Sequence, residues 1–299
     1  MINLKIPATT ANIGPGFDCI GMALGVYNEL SVEETEILKI ENLNPDQAVP
    51  LTDDNLIYKT ICNFYRETGK VLPNFHIIQN DNIPMASGLG SSAACIVGGL
   101  LAANSLSGAN LSKDDLVQMA VGIEGHSDNV APAMLGGMVV GAIDKPEAGG
   151  RVHLVKLDVP KNLAFTVFLP SFPLHTSLSR SVLPKTYSRQ DAVFNISRAA
   201  LLVAAMATGN MGVLKTATAD CLHQPYRQHL VPNMEEIFEK AYNYGASGVY
   251  LSGAGPAIIA ITCENNEFKS NMENFLNSLN NKWNTFDVEI DVEGARFLS

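Results

Sequence analysis

A chain of 299 residues, 46% hydrophobic and 17% charged, has the composition of a globular protein with a sizeable core and no low-complexity tract. Its formal net charge of −10 argues against nucleic acid as a partner, because such binding rests on clustered Lys and Arg. Cys19, Cys62, Cys95, Cys221 and Cys263 are scattered and never form a CxxC pair, which argues against a disulfide framework or a zinc site and towards thiols kept reduced in the cytoplasm.

The opening five residues, Met1 to Lys5, lack the apolar core of a signal peptide. The longest apolar runs, around 93–103 and 199–207, fall short of the ~18–20 residues that span a bilayer, so no membrane partner is expected. A short strand is predicted at 3–6, then a loop at 7–18 carrying Gly14, Pro15 and Gly16, then a strand-like run at 29–33. Residues 55–68 space Leu56, Ile57, Ile61 and Phe64 as a helix does, and stop near Gly69. A strand follows at 75–79. Residues 91–104, rich in Ala, Leu and Ile, read as a buried helix. Another helix at 112–122 is N-capped by Ser112, with Asp115 three positions on. Residues 136–141 read as a buried strand, and 144–150 as a turn cluster that closes the first half. In the second half, strands at 163–169, 248–251, 258–262 and 286–292 alternate with helices at 188–208, 233–244 and 267–279. That order is the split βαβ of ferredoxin-like folds, with the boundary between the halves near 155–163.

The richest segment chemically is Pro84-Met85-Ala86-Ser87-Gly88-Leu89-Gly90-Ser91-Ser92-Ala93-Ala94. Two glycines around one leucine allow a tight turn and close backbone approach to a ligand. The helix that follows directs free N–H groups and a positive dipole end into the loop, a site for phosphate. The serine hydroxyls add donors, or an oxygen ligand for Mg²⁺. Gly88-x-Gly90-x-x-Ala93 formally fits the dinucleotide fingerprint, but the strand at 75–79 ends well upstream and no acidic strand end follows the helix. The Walker pattern fails because no Lys follows the glycines.

Four further segments gather polar residues among glycines and prolines. Asn12 and Asp18 stand on the constrained stretch 7–18, able to receive an ammonium or hydroxyl group. Glu124, His126, Asp128 and Asn129 crowd into six positions directly after a helix and could supply a metal ligand and groups around a reacting hydroxyl. Thr176 and Arg180 follow the strand at 163–169, and Arg227 lies between helices. Both arginines are read as loop residues suited to a carboxylate or phosphate. The turn Ser252-Gly253-Ala254-Gly255-Pro256 lets backbone come close to a ligand.

Together, the Asn12/Asp18 segment, the glycine loop, Glu124-Gly125-His126-Ser127-Asp128-Asn129-Val130-Ala131-Pro132 and the late turn resemble the GHMP kinase superfamily. Within it, 7–18 and 124–132 look like the homoserine kinases, and the resemblance covers nearly the whole chain. It implies an α+β, two-domain GHMP kinase. The N-terminal domain, 1–158, would be of the ribosomal-protein-S5-domain-2-like type, and the C-terminal domain, 159–299, ferredoxin-like. It further implies transfer of the ATP γ-phosphoryl group to L-homoserine for threonine synthesis, and a homodimer. Carried over motif by motif, Pro84 to Ala94 would bind ATP, and Ser92 with Glu124 would bind Mg²⁺. Asn12, Asp18, His126, Thr176, Arg180, Arg227 and Gly253 would surround the amino acid. Asn129, Asp128 and Asp18 are the residues expected closest to the chemistry, with Asn129 facing the substrate and Asp128 its structural neighbour. A kinase of the same superfamily acting on another hydroxylated compound, such as mevalonate, is the alternative; it would need no ammonium site.

Overall fold

In the computed structural model, which describes residues 1–144, 150–263 and 267–298, the first strand runs through half of the predicted loop. Strand β1 (Ile2–Asn12) pairs antiparallel with the long β2 (Gly16–Thr35), with Leu4 opposite Leu30. The register slips between Pro7 and Ala8 and again between Ala11 and Asn12. A slip next to Pro7 lets a residue without an N–H remain inside a ladder, which is why the proline bends the strand and does not end it. Only the turn at 13–15 is irregular, and it opens with positive φ at Asn12, Ile13 and Gly14.

The rest of the first half comprises β3 (Lys39–Asn42), α1 (Leu56–Thr68), β4 (Asn74–Asn80), α2 (Ser91–Ser107), α3 (Lys113–Glu124), α4 (Val130–Leu135), β5 (Met138–Ile143) and β6 (Val152–Leu157). The predicted caps are in place: Gly69 closes α1 in the left-handed conformation, and Ser112 and Asp115 form a capping box on α3. Asn55, which carried no cap prediction, accepts from Ile57 N and Tyr58 N at the start of α1. The turn cluster expected at 144–150 falls mostly at 145–149, outside the described residues.

The second half comprises β7 (Leu163–Pro170), α5 (Thr176–Ser181), α6 (Arg189–Thr208), α7 (Leu214–Ala217), α8 (Gln224–Arg227), α9 (Met234–Asn243), β8 (Gly248–Leu251), β9 (Ile258–Cys263), α10 (Phe268–Leu276), β10 (Trp283–Val288) and β11 (Arg296–Phe297). Its sheet has the order β10-β7-β9-β8 with every neighbour antiparallel, the ferredoxin-like arrangement. The last long strand starts three residues before the predicted 286 and ends at Val288, because its pairing with β7 runs from Pro170 back to Phe165. The chain then returns to the first sheet, whose order is β11-β1-β2-β4-β3, with β5 on β2 and β6 on β5.

One core cluster joins the two halves, with Ile96, Val97 and Leu100 of α2 packed among Leu4, Ile6 and Leu30 of the first sheet. Each such buried side chain contributes ~1.5–3 kcal/mol, so α2 is firmly seated and its N-terminus has a fixed aim. The apolar run at 199–207 is the latter part of α6, a helix that by length and composition alone is long and apolar enough to cross a membrane. In this fold Leu202, Ala205 and Met206 enter the core, and Asn195 donates to Pro15 O at 3.0 Å.

Candidate active site

The glycine loop is pinned from three sides. Thr9 N donates to Leu89 O (3.0 Å), Ala257 N to Ser87 O (3.0 Å) and Leu174 N to Ala86 O (2.8 Å), while the Ser252 hydroxyl donates to Gly88 O (2.6 Å). Four successive carbonyls are thereby turned into the protein. The groups left for the adjoining cleft are serine hydroxyls and the unpaired N–H groups of the first turn of α2. The two glycines are required by contact as well as conformation. A Cβ at Gly88 (φ 83°) would stand 2.4 Å from Ser252 O, and one at Gly90 (φ 73°) would stand 1.9 Å from Thr9 Oγ1.

The cleft beside this loop has an empty volume of about 640 Å³. Ala86, Ser87, Gly88, Gly90, Ser91 and Ser92 line it, whereas the other predicted loop residues do not. Leu89, Ala93 and Ala94 face the core, Met85 is exposed, and Pro84 precedes the turn. Every other predicted site residue is on the wall: Asn12, Asp18, Glu124, His126, Asp128, Asn129, Thr176, Arg180, Arg227 and Gly253. The arginines are on short helices, Arg180 at the end of α5 and Arg227 at the end of α8, not on loops as expected from the sequence. Helices of six and four residues are too short to leave a periodic signal.

Opposite charges meet in the cleft. Ligand atoms of Asp18, His126 and Asp128 lie within 4.8 Å of one another, a corner that could receive a cation. His126 Nδ1 is hydrogen-bonded to the buried carboxylate of Asp128. Burial works against charge on His126, but that bond and the negative charges of Asp128, Asp18 and Glu124 outweigh it and raise its pKa. Against the same corner stand two guanidiniums. Arg180 grips Asp18 with both ends, at 2.7 and 3.1 Å. Arg227 is buried and donates through Nε to Ser179 O (3.1 Å) and through NH1 to Gly253 O (2.9 Å) and His223 (3.1 Å). Burial, and then the charge of Arg180, pull it down to about 10, so it remains a cation at neutral pH. Asn12 fixes the far end of the wall by accepting from Asp18 N and donating to Gly253 O. The Gly253 carbonyl is therefore taken twice by the protein itself.

Near the loop, the Ser92 hydroxyl lies 2.9 Å from Glu124 Oε2, two oxygens of the kind a hard divalent cation takes. Asn129 accepts at Oδ1 from the Thr9 hydroxyl (2.7 Å), which leaves its amide N–H groups to the cleft. Sequence reasoning missed Thr9, Phe17, Ser179, Asp220 and His223, which hold the wall residues in place. Thr9, Phe17 and Ser179 lie inside segments already singled out, and His223 stands one residue before another, four residues ahead of Arg227.

Comparison with known proteins meets this geometry. The family model "GHMP kinases N terminal domain" matches residues 55–137, and "GHMP kinases C terminal" matches 199–285. The chain is 43% identical over 303 residues to homoserine kinase of Caldicellulosiruptor saccharolyticus, spanning 100% of this chain and 97% of the relative. It is 42% identical over 299 residues to that of Clostridium kluyveri, spanning 99% and 98%. The chain belongs to the homoserine kinases of the GHMP kinase family. Among solved structures, the homoserine kinase from Cytophaga hutchinsonii superposes with a TM-score of 0.87 at 27% identity, covering 99% of this chain and 97% of that one. A phosphomevalonate kinase of Streptococcus pneumoniae reaches 0.73 at 15% identity, over 96% and 100%, and shares the fold alone. As a GHMP kinase the chain is an ATP-using enzyme with a small-molecule substrate, and the α+β, two-domain expectation holds. The N-terminal match contains the glycine loop, and the C-terminal match contains Arg227.

Proposed function

We propose that the chain transfers the γ-phosphoryl group of ATP to the side-chain hydroxyl of L-homoserine in the cytoplasm, giving ADP and O-phospho-L-homoserine on the route to threonine. The observation that carries this reading is the pairing of a carboxylate corner with two guanidiniums in the cleft that the glycine loop enters. An α-amino acid brings one charge for each side, whereas mevalonate brings only a carboxylate. Asp18 receives the ammonium, and Arg180 with the open NH2 edge of Arg227 receives the carboxylate. Thr176 and His126 close around the same molecule, with Asn12 and the Gly253 carbonyl bracing Asp18 and Arg227.

Phosphoryl transfer needs in-line positioning and charge neutralisation more than covalent help from the protein. The first turn of α2 and the hydroxyls of Ser91 and Ser92 hold the phosphates. Ser92 and Glu124 are suited to Mg²⁺, which when bound neutralises charge across the phosphate oxygens. Asn129 offers a donor, not an acceptor, and so orients the attacking hydroxyl without taking its proton. Asp128 is engaged with His126. The proton then leaves late, towards the phosphoryl oxygens, and the rate comes from positioning and electrostatics. We further read the assembly as a homodimer, as the resemblance to the homoserine kinases implies. Coupled ADP release across L-homoserine, mevalonate, galactose and L-serine tests the function. Turnover concentrated on homoserine is expected, and preference for mevalonate would refute it.

A further inference from the structure

Beneath the guanidinium side of the cleft lies a fully buried histidine that the chemistry above does not use. His223 has 0% exposure, and both ring nitrogens are engaged: Nε2 lies 2.7 Å from Gly14 O and Nδ1 lies 3.1 Å from Arg227 NH1. A carbonyl can only accept and a guanidinium can only donate. The two partners therefore fix the ring as neutral, with its proton on Nε2 and its Nδ1 lone pair facing Arg227. A second proton would set a donor against a donor and a cation against a cation. Burial, the largest influence, pushes the His223 pKa down and outweighs the nearby Asp220 carboxylate, 3.5 Å from Nε2. The ring also stacks on Phe17, with centroids 5.3 Å apart. His223 itself is set by Asp220, whose carboxylate accepts from the backbone of Leu222, His223 and Gln224.

We propose that His223 is a positioning residue for substrate: as the Nε2-protonated neutral ring, braced on the Gly14 carbonyl, it holds the Arg227 guanidinium so that its NH2 edge faces the cleft. The inference rests on the proposed role of Arg227 towards the substrate carboxylate. The brace runs from the turn that carries Gly14, in the first half of the chain, to α8 in the second. It thus ties the aim of the carboxylate-binding group to the docking of the two halves, while His223 itself does not line the cleft.

The test is steady-state kinetics on His223→Leu and His223→Asn. Leucine removes the acceptor facing Arg227, whereas the amide oxygen of asparagine can take the place of Nδ1. The expected result is a rise of about tenfold or more in KM for L-homoserine in His223→Leu, the size of a lost bond to a charged group. KM for ATP should stay within about twofold, with most of the loss recovered in His223→Asn. Parallel rises in both KM values, or no recovery in His223→Asn, would overturn the proposal. Should His223→Leu fail to fold, nitrogen-15 shifts of the wild-type ring decide: an Nε2-protonated neutral ring supports it, and an Nδ1-protonated or doubly protonated ring overturns it. A wild type inactive on homoserine would count against the function instead, and the tautomer measurement would stand apart from that failure.

Discussion

Asp18 and Arg180 hold each other in the cleft, yet their side chains are 34% and 38% exposed. A pair that accessible is worth ~0–1 kcal/mol, so a zwitterion that offers an ammonium to one partner and a carboxylate to the other can displace it at little cost. Arg180→Ala should therefore raise KM for L-homoserine about ten- to a hundredfold while KM for ATP stays put, as initial-rate measurements would show. Arg227→Ala should do the same and also lower Tm, because it strands the Ser179 carbonyl and the His223 Nδ1 lone pair inside the protein. An effect on ATP alone would assign either arginine to the phosphates. The neighbouring pair, Asp128 and Asn129, separates two mechanisms. With Asp128 held against His126 and the Asn129 amide left to the cleft, Asn129→Ala should slow kcat and Asp128→Asn should mainly reduce stability. A folded Asp128→Asn enzyme that binds both substrates but loses ~10²–10⁴-fold in kcat would make Asp128 the general base.

On the proposed reading, the glycine loop followed by α2 brings the backbone to the phosphates without a lysine, which gives the oxygen pair at its rim more to do. Ser92 comes from the first turn of α2 and Glu124 from the last residue of α3, so two helix ends set their 2.9 Å separation. Glu124→Gln keeps the shape and removes the charge. It should shift the Mg²⁺ dependence of kcat to higher metal concentration, and an unchanged Mg²⁺ titration in a folded variant would remove Glu124 from the metal site. Helices α1, α3 and α6 were legible in the sequence because their signals are local: Ser112 with Asp115 and Ser188 mark starts, and Gly69 and Gly209 mark ends. Strands β3, β6 and β11 were not legible. They are two to six residues long, and each is specified by a partner strand that no local pattern names.

At the scale of the whole molecule, the cleft is made by the docking of two halves. Asn12 reaches Gly253 across 241 positions, and His223 reaches Gly14 across 209. Polar bonds at such separation leave no trace in composition or periodicity, so the sequence marked the wall residues through their motifs but not the side chains that aim them. The glycine loop, the Glu124–Asn129 cluster and the late turn were recognisable as segments. That Arg180 closes on Asp18, or that Thr9 holds Asn129, emerged only with the fold. The central claim is that this docked cleft selects a hydroxylated zwitterion by matching both of its charges. The most direct measurement compares kcat/KM for L-homoserine with that for 4-hydroxybutyrate, which lacks the ammonium, and 3-aminopropan-1-ol, which lacks the carboxylate. Both analogues should fall by about tenfold or more, each from the loss of a charge-assisted contact; a 4-hydroxybutyrate turned over as well as homoserine would contradict the account.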